Sequence, residues 1–184
     1  MKGVAVIVVD MVNDFIKGSL KIERAKHIIP RIKDLLDAAR ANGVPVVYVC
    51  DTHIPPVDKE LKLWGNHAIA NSWGAEVIDE LKPMDGDFIV RKRRYSSFYG
   101  TDLDLLLREL GITTLILTGV ATDICIQHTA ADAFFRGYEV VVPEDCVESI
   151  SEDNQKSGLD YMRRVYGAKI VTSKELINLK MRLS

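Results

Sequence analysis

Cysteine is scarce in this chain. Its 184 residues hold three, Cys50, Cys125 and Cys146, far apart and with no C-x-x-C among them. Three thiols cannot all pair within one chain, so the pattern argues against a disulfide scaffold and against a cysteine-rich zinc knuckle. A basic surplus is lacking as well: 24 Lys and Arg stand against 26 Asp and Glu, for a net charge of −2. Nucleic acid and anionic membranes select excess positive charge, so neither is expected as a partner. The opening apolar run covers only 4–9 and ends at Asp10. A signal-peptide core needs about 7–15 apolar residues and a membrane-spanning helix about 18 or more. The expectation is a protein of a reducing, cytoplasmic compartment with no membrane anchor. G-x-G-x-x-G and G-K-[ST] are both missing, which leaves a nucleotide-phosphate cradle unsupported.

What is present is a globular composition, 47% apolar and 27% charged. The length fits a single domain over 1–184, on a prior of roughly 100–200 residues per domain. Six β-rich runs stand out, at 4–9, 44–50, 87–91, 113–118, 138–142 and 168–171. Continuous apolar runs this short suit strands buried on both faces. Helical spacing lies between them. Ile28, Ile29, Ile32, Leu35, Leu36 and Ala39 mark one helix, with Pro30 in its first turn and Gly43 as its stop. Thr101 to Asp104 reads as a capping-box variant opening a helix over 103–110. Thr122 is expected to cap a helix over 123–136, and Ser151 one ending at 166. Strands alternating with helices predict an α/β fold whose mainly parallel sheet is covered on both faces. The stretch 52–75 is the exception, long and irregular, and such loops are often functional.

Ligands of open α/β sheets bind beyond the carboxyl ends of the strands. Asp10 ends the first run, Asp51 and His53 follow the second, Lys92 the third, and Cys125 follows the fourth in Gly119-Val-Ala-Thr-Asp-Ile-Cys125. Any one charged residue at a strand end is commonly just the chain re-entering water; together they predict one crevice. With Thr122 as cap, Cys125 falls in the first helical turn, where free N–H groups and the helix dipole lower a thiol pKa and can receive an oxyanion. Asp10 is the candidate base and Lys92 its electrostatic partner. Cys50 and Cys146 read as small buried apolar residues, and His128 as filler on the helix face. Asp51 and His53 share one side of an extended chain. With Glu60 and His67 folding back from the irregular loop, they form a donor set suited to zinc or a similar divalent ion. The basic run from Arg91 to Arg94 reads mainly as a solvated face.

At these residues the sequence resembles the isochorismatase-like cysteine hydrolase superfamily. The likeness covers nearly the whole chain and rests on Val8-Val-Asp-Met-Val-Asn-Asp-Phe15, on Lys92-Arg-Arg-Tyr-Ser-Ser-Phe-Tyr-Gly-Thr-Asp-Leu103, and on the segment from Gly119 to Ala133. It implies a Rossmann-like three-layer sandwich with a six-stranded sheet, and an Asp10–Lys92–Cys125 triad. It also implies a cis peptide before Ala121, whose N–H joins that of Cys125 in an oxyanion hole. Cys125 argues for amide hydrolysis, since true isochorismatases tend to lack that cysteine. Asp51, His53, Glu60 and His67 match the metal site of nicotinamidases, where the pyridine nitrogen binds the metal. Phe15 and Tyr95 would flank the ring, with Trp64 as a further substrate-binding residue. Val12 stands where glutamine is common, and Asn71-Ser-Trp-Gly74 replaces a more usual Gly-Thr-Pro-Gly. The expected activity is therefore a nicotinamidase-like cysteine amidohydrolase acting on a small-molecule amide, in a dimer or tetramer. The alternative is an N-carbamoylsarcosine amidase-like enzyme, whose carboxylate substrate would favour Arg93 or Arg94 facing the pocket. A catalytically inactive binding module is the reading from a different class.

Overall fold

The computed structural model describes residues 3–181. In chain order its principal elements are β1 (Gly3–Val9), α1 (Asn13–Ile16), α2 (Ile29–Ala41), β2 (Val46–Asp51), α3 (Glu60–Trp64), β3 (Phe88–Lys92), α4 (Leu103–Glu109) and β4 (Ile112–Val120). They continue with α5 (Gln127–Phe135), β5 (Glu139–Pro143), β6 (Val147–Glu148), α6 (Glu152–Tyr166), β7 (Lys169–Val171) and α7 (Ser173–Asn178). All six expected strands form. The sheet runs β3-β2-β1-β4-β5-β7, and β6, a two-residue strand not expected from the sequence, pairs with β4. Every pairing among the named strands is parallel.

The period-2 alternation of the strands divides their apolar side chains between two cores. Val6, Val8, Tyr48 and Ile116 pack on one face against Ile32, Leu35 and Leu36 of α2 and Leu176 of α7. Ala5, Ile7, Val9, Val47 and Leu117 pack on the other against Leu103 and Leu107 of α4, Ala133 of α5 and Met162 of α6. Helices thus cover both faces, as parallel strands require. Tyr48 is fully buried and keeps its hydroxyl satisfied, donating to the Leu81 carbonyl at 2.8 Å and accepting from Arg40 at 3.1 Å. No helix among the described residues is long and apolar enough to cross a membrane.

Of the expected caps, one is only partly formed and one is not found. Asp102 occupies the N-cap of α4 without a side-chain bond. The Leu103 N–H instead reaches the Thr101 hydroxyl at 3.3 Å, which itself donates to the Ser97 carbonyl at 2.6 Å. Nor does Thr122 cap the helix that carries Cys125. It is fully buried beneath α6 and donates to Gln155 Oε1, so its oxygen is drawn away from its own helix. The turn Thr122–Ile126 is a π turn, in which the Ile126 N–H bonds back to the Ala121 carbonyl at 3.1 Å, and α-helix begins only at Gln127. Ser151 does cap α6, accepting from the Asn154 N–H at 3.2 Å.

The site is placed by register. Val9 pairs with both Val49 and Gly119, and Asp51 lies opposite Lys92, so β1 to β4 end side by side on one edge. Gly119 is required there: at φ +109° a Cβ would stand 1.9 Å from the Val9 carbonyl oxygen. Glycine alone permits both that torsion and that approach.

Candidate active site

Asp10, Lys92 and Cys125 meet at this edge, all three buried. Lys92 Nζ lies 2.8 Å from Asp10 Oδ2, 2.5 Å from Asp51 Oδ1 and 3.5 Å from Cys125 Sγ. Asp10 is held in turn by its backbone. Its φ is +56°, its N–H donates to the Val49 carbonyl at 2.9 Å, and its Oδ1 accepts the Asp51 N–H at 2.8 Å. A buried non-glycine residue in this region of backbone space is uncommon and clusters at functional sites.

The electrostatics follow from one ammonium between two carboxylates in a dry site. Burial, then the Asp51 charge, pushes the Asp10 carboxyl up to about 6 against the pull of Lys92. Burial also opposes the Lys92 charge, but Asp10, Asp51 and Cys125 outweigh it and hold that pKa well above the ordinary lysine value. For Asp51 the attraction of Lys92 and His53 outweighs desolvation, so its carboxyl is lowered. The Cys125 thiol corrects the sequence expectation of a depressed pKa. Burial raises it well above normal, and Asp10 and Asp51 add to burial against Lys92. The raised pKa favours a neutral thiol beside Asp10 and Lys92 over a thiolate already ionised at rest.

These groups open on a cavity of about 170 Å³ lined by Phe15, Trp64, Tyr95, Ile124 and Ala121 as well as by Asp10, Asp51, Glu60, His67 and Cys125. Trp64 Nε1 donates to the Tyr95 hydroxyl at 3.0 Å, which ties two walls together, and Phe15 leans on His67 with ring centroids 5.6 Å apart. The peptide between Val120 and Ala121 is cis, as the resemblance implied. His128 does not form a dyad with Cys125. Its Nδ1–H donates to the Ile124 carbonyl at 2.7 Å and its ring faces Tyr95.

The expected donor set is gathered, three members more closely than the fourth. Ligand atoms of Asp51, His53 and His67 all lie within 4.8 Å of one another. Glu60 borders the group, its Oε2 3.9 Å from His53 Nε2. The His53 Nε2 is buried with no hydrogen-bond partner, and His67 Nδ1 donates to the Gly65 carbonyl at 2.8 Å, leaving its other nitrogen available. An orphaned imidazole nitrogen beside a second imidazole and a carboxylate fits a divalent metal of the zinc type. Asp10, Asp51 and Cys125 form a second acidic group, but the Lys92 ammonium already stands among them.

Arg93 and Arg94 do not face the cavity. Both turn to the fully buried Asp58, which accepts from Arg93 Nη2 at 2.5 Å and from Arg94 Nη1 at 3.3 Å. Asp58 went unread in the sequence, as did Asp14, whose Oδ2 accepts the Ala68 N–H at 2.8 Å and so pins the segment carrying His67. Gly74 offered a signal for Asp14, since its missing side chain is where the Asp14 carboxylate sits, 2.0 Å from an added Cβ.

Comparison with known families matches residues 4–175 to the Isochorismatase domain. Among solved structures, the chain is 46% identical to an N-carbamoylsarcosine amidase from Thermoplasma acidophilum, with a TM-score of 0.88, covering 94% of this chain and 97% of that one. A nicotinamidase from Bacillus subtilis is 35% identical, also with a TM-score of 0.88, over 93% of this chain and 99% of that one. A pyrazinamidase of Pyrococcus horikoshii, solved in complex with zinc, is 31% identical with a TM-score of 0.85, over 92% and 98% of the two chains. A sheet that ends in this charged edge, and whole-length likeness to enzymes that cleave amides, lead to one conclusion: the chain belongs to the isochorismatase family and is an amide-bond hydrolase.

Proposed function

We propose that the chain is a cysteine amidohydrolase of nicotinamidase type, with Cys125 as nucleophile, Asp10 as general base and acid, and Lys92 as their electrostatic partner. The carbonyl carbon of the amide sits over Cys125, and its oxygen is received by the N–H groups of Ala121 and Cys125. Sγ attacks as the thiol proton passes to Asp10, whose pKa of about 6 suits a group that must accept and return a proton near neutrality. Asp10 then protonates the leaving nitrogen, the C–N bond breaks, and ammonia departs. Water adds to the thioester, giving its proton to Asp10; the C–S bond breaks, and the proton returns to the sulfur. Lys92 keeps the Asp10 charge compensated throughout.

The observation that supports nicotinamide is the partnerless buried Nε2 of His53 beside His67 and Asp51, next to the aromatic walls Phe15, Trp64 and Tyr95. Asp51, His53 and His67, with Glu60 at the margin, would hold the ion. When bound, a zinc-type ion supplies a Lewis acid for the ring nitrogen. The 46% identity to an N-carbamoylsarcosine amidase, above the 35% to a nicotinamidase, favours a second reading. An N-carbamoyl amino acid needs a cation at the pocket. Since Arg93 and Arg94 turn to Asp58, the cation at the cavity wall is Lys21, which is itself paired with Glu23 and would have to exchange that partner for the substrate. Ammonia release from nicotinamide and from N-carbamoylsarcosine, before and after chelation, separates the two. The first reading expects nicotinamide turnover that falls on chelation and returns with zinc. Turnover of the carbamoyl compound alone selects the second. Metal-free enzyme fully active on nicotinamide removes the ion from the mechanism, and ammonia from neither substrate favours a binding module.

A further inference from the structure

Asp58 and the arginines that meet it have no part in the chemistry described so far. Asp58 is completely buried. It accepts the Ile54 N–H at 2.8 Å, Arg93 Nε at 3.1 Å and Nη2 at 2.5 Å, and Arg94 Nη1 at 3.3 Å. Taking a carboxylate out of water costs several kcal/mol unless charge and hydrogen bonds compensate. Two half-exposed arginines provide that compensation, but they do not require the carboxylate to be buried where it is. One more contact bears on the position: Asp58 Oδ2 lies 3.4 Å from His53 Nδ1.

An imidazole whose Nδ1–H is directed at a carboxylate presents the lone pair of Nε2 on the other side of its ring. In His53 that other side faces Asp51 Oδ2 at 3.5 Å, and Nε2 has no hydrogen-bond partner. His67 is fixed in the same manner by the Gly65 carbonyl. We propose that Asp58, clamped by Arg93, is a positioning residue for the metal, fixing the tautomer and ring orientation of His53 so that Nε2 is aimed into the Asp51–His67 group. The inference rests on the metal reading above. It also gives the basic run after β3 a role, since Arg93 holds the carboxylate that holds the ligand. Partners of this kind, one step behind a metal-binding histidine, commonly change metal affinity by roughly 10–100-fold when removed.

The test is zinc affinity of the full chain, measured by competition with a chromophoric chelator, for wild type, His53→Ala, Asp58→Asn and Arg93→Ala. Iodoacetamide reactivity of Cys125 serves as the check that the neighbouring site is folded. His53→Ala should lose the ion. Asp58→Asn should weaken zinc by roughly 10–100-fold while Cys125 reacts at the wild-type rate, a combination that a loop staple without influence on His53 would not give. Arg93→Ala, which leaves Asp58 in place, should weaken zinc in the same direction and by less. Wild-type affinity in Asp58→Asn, with binding lost in His53→Ala, overturns this inference alone. Should Asp58→Asn fail to fold, unchanged affinity in Arg93→Ala overturns it. A wild-type chain that binds no zinc overturns the metal reading, and this inference with it.

Discussion

Asp10 does three things at once: it ends a strand at φ +56°, accepts the Asp51 N–H, and shares Lys92 with a second carboxylate. The role of Lys92 follows from that crowding. Its replacement by methionine leaves Asp10 and Asp51 buried without their counter-charge, a change that typically destabilises by about 3–5 kcal/mol; urea unfolding of Lys92→Met checks it. Asp10→Asn keeps the shape and removes the proposed proton acceptor, so ammonia release should fall by roughly 10²–10⁴-fold. Asp10, Lys92 and Cys125 were readable as strand-end residues because a parallel sheet brings such ends together. The protonation state of Cys125 was not. A helix start alone predicts a lowered thiol pKa, whereas burial beside two carboxylates raises it, and burial is set by the whole fold.

At the scale of elements, the strands were legible because short continuous apolar runs, set between helical patterns, suit a sheet covered on both faces. Thr122 misses its cap because its hydroxyl is held by Gln155, whereas the Thr101 oxygen still accepts the Leu103 N–H while its hydroxyl donates to the Ser97 carbonyl. Gln155 lies on α6, 33 residues further along the chain, where sequence spacing gives no sign that it comes near. The Thr122 bond ties the π turn bearing Cys125 to α6. Thr122→Val should leave Gln155 Oε1 without its donor and lower stability by about 1–3 kcal/mol, whereas Thr122→Ser should retain most of it; thermal or urea unfolding of the pair decides. Gly119→Ala should cost more than about 1 kcal/mol, because its Cβ meets the Val9 carbonyl and its φ stays positive. A variant as stable as wild type would contradict the close approach of β1 and β4.

Across the whole molecule, two cores of differing make-up flank one sheet. The core beneath α2 continues into the loops around the cavity, since Phe15, Val12 and Ala68 belong to it. Leu36→Ala, at a fully packed site on α2, should destabilise by about 2–5 kcal/mol, measured by denaturant titration. The irregular stretch after β2 stood out in the sequence by its length and its two histidines, which the fold brings together beside Asp51. Its internal order was not legible there, since that depends on Asp14 and Asp58, ordinary acidic residues in sequence whose burial only the assembled fold creates. Cys125, the proposed nucleophile, is one of three cysteines that are all free and buried. Cys125 lines the cavity; Cys50 is shielded, its thiol pushed up to about 12 chiefly by burial, and Cys146 is fully buried. The most direct measurement is site-resolved iodoacetamide labelling followed alongside ammonia release. Activity should disappear in proportion to a single carboxamidomethyl group on Cys125, with Cys50 and Cys146 still unmodified. Turnover that persists with Cys125 fully alkylated, or labelling spread evenly over the three cysteines, would contradict the nucleophile assignment.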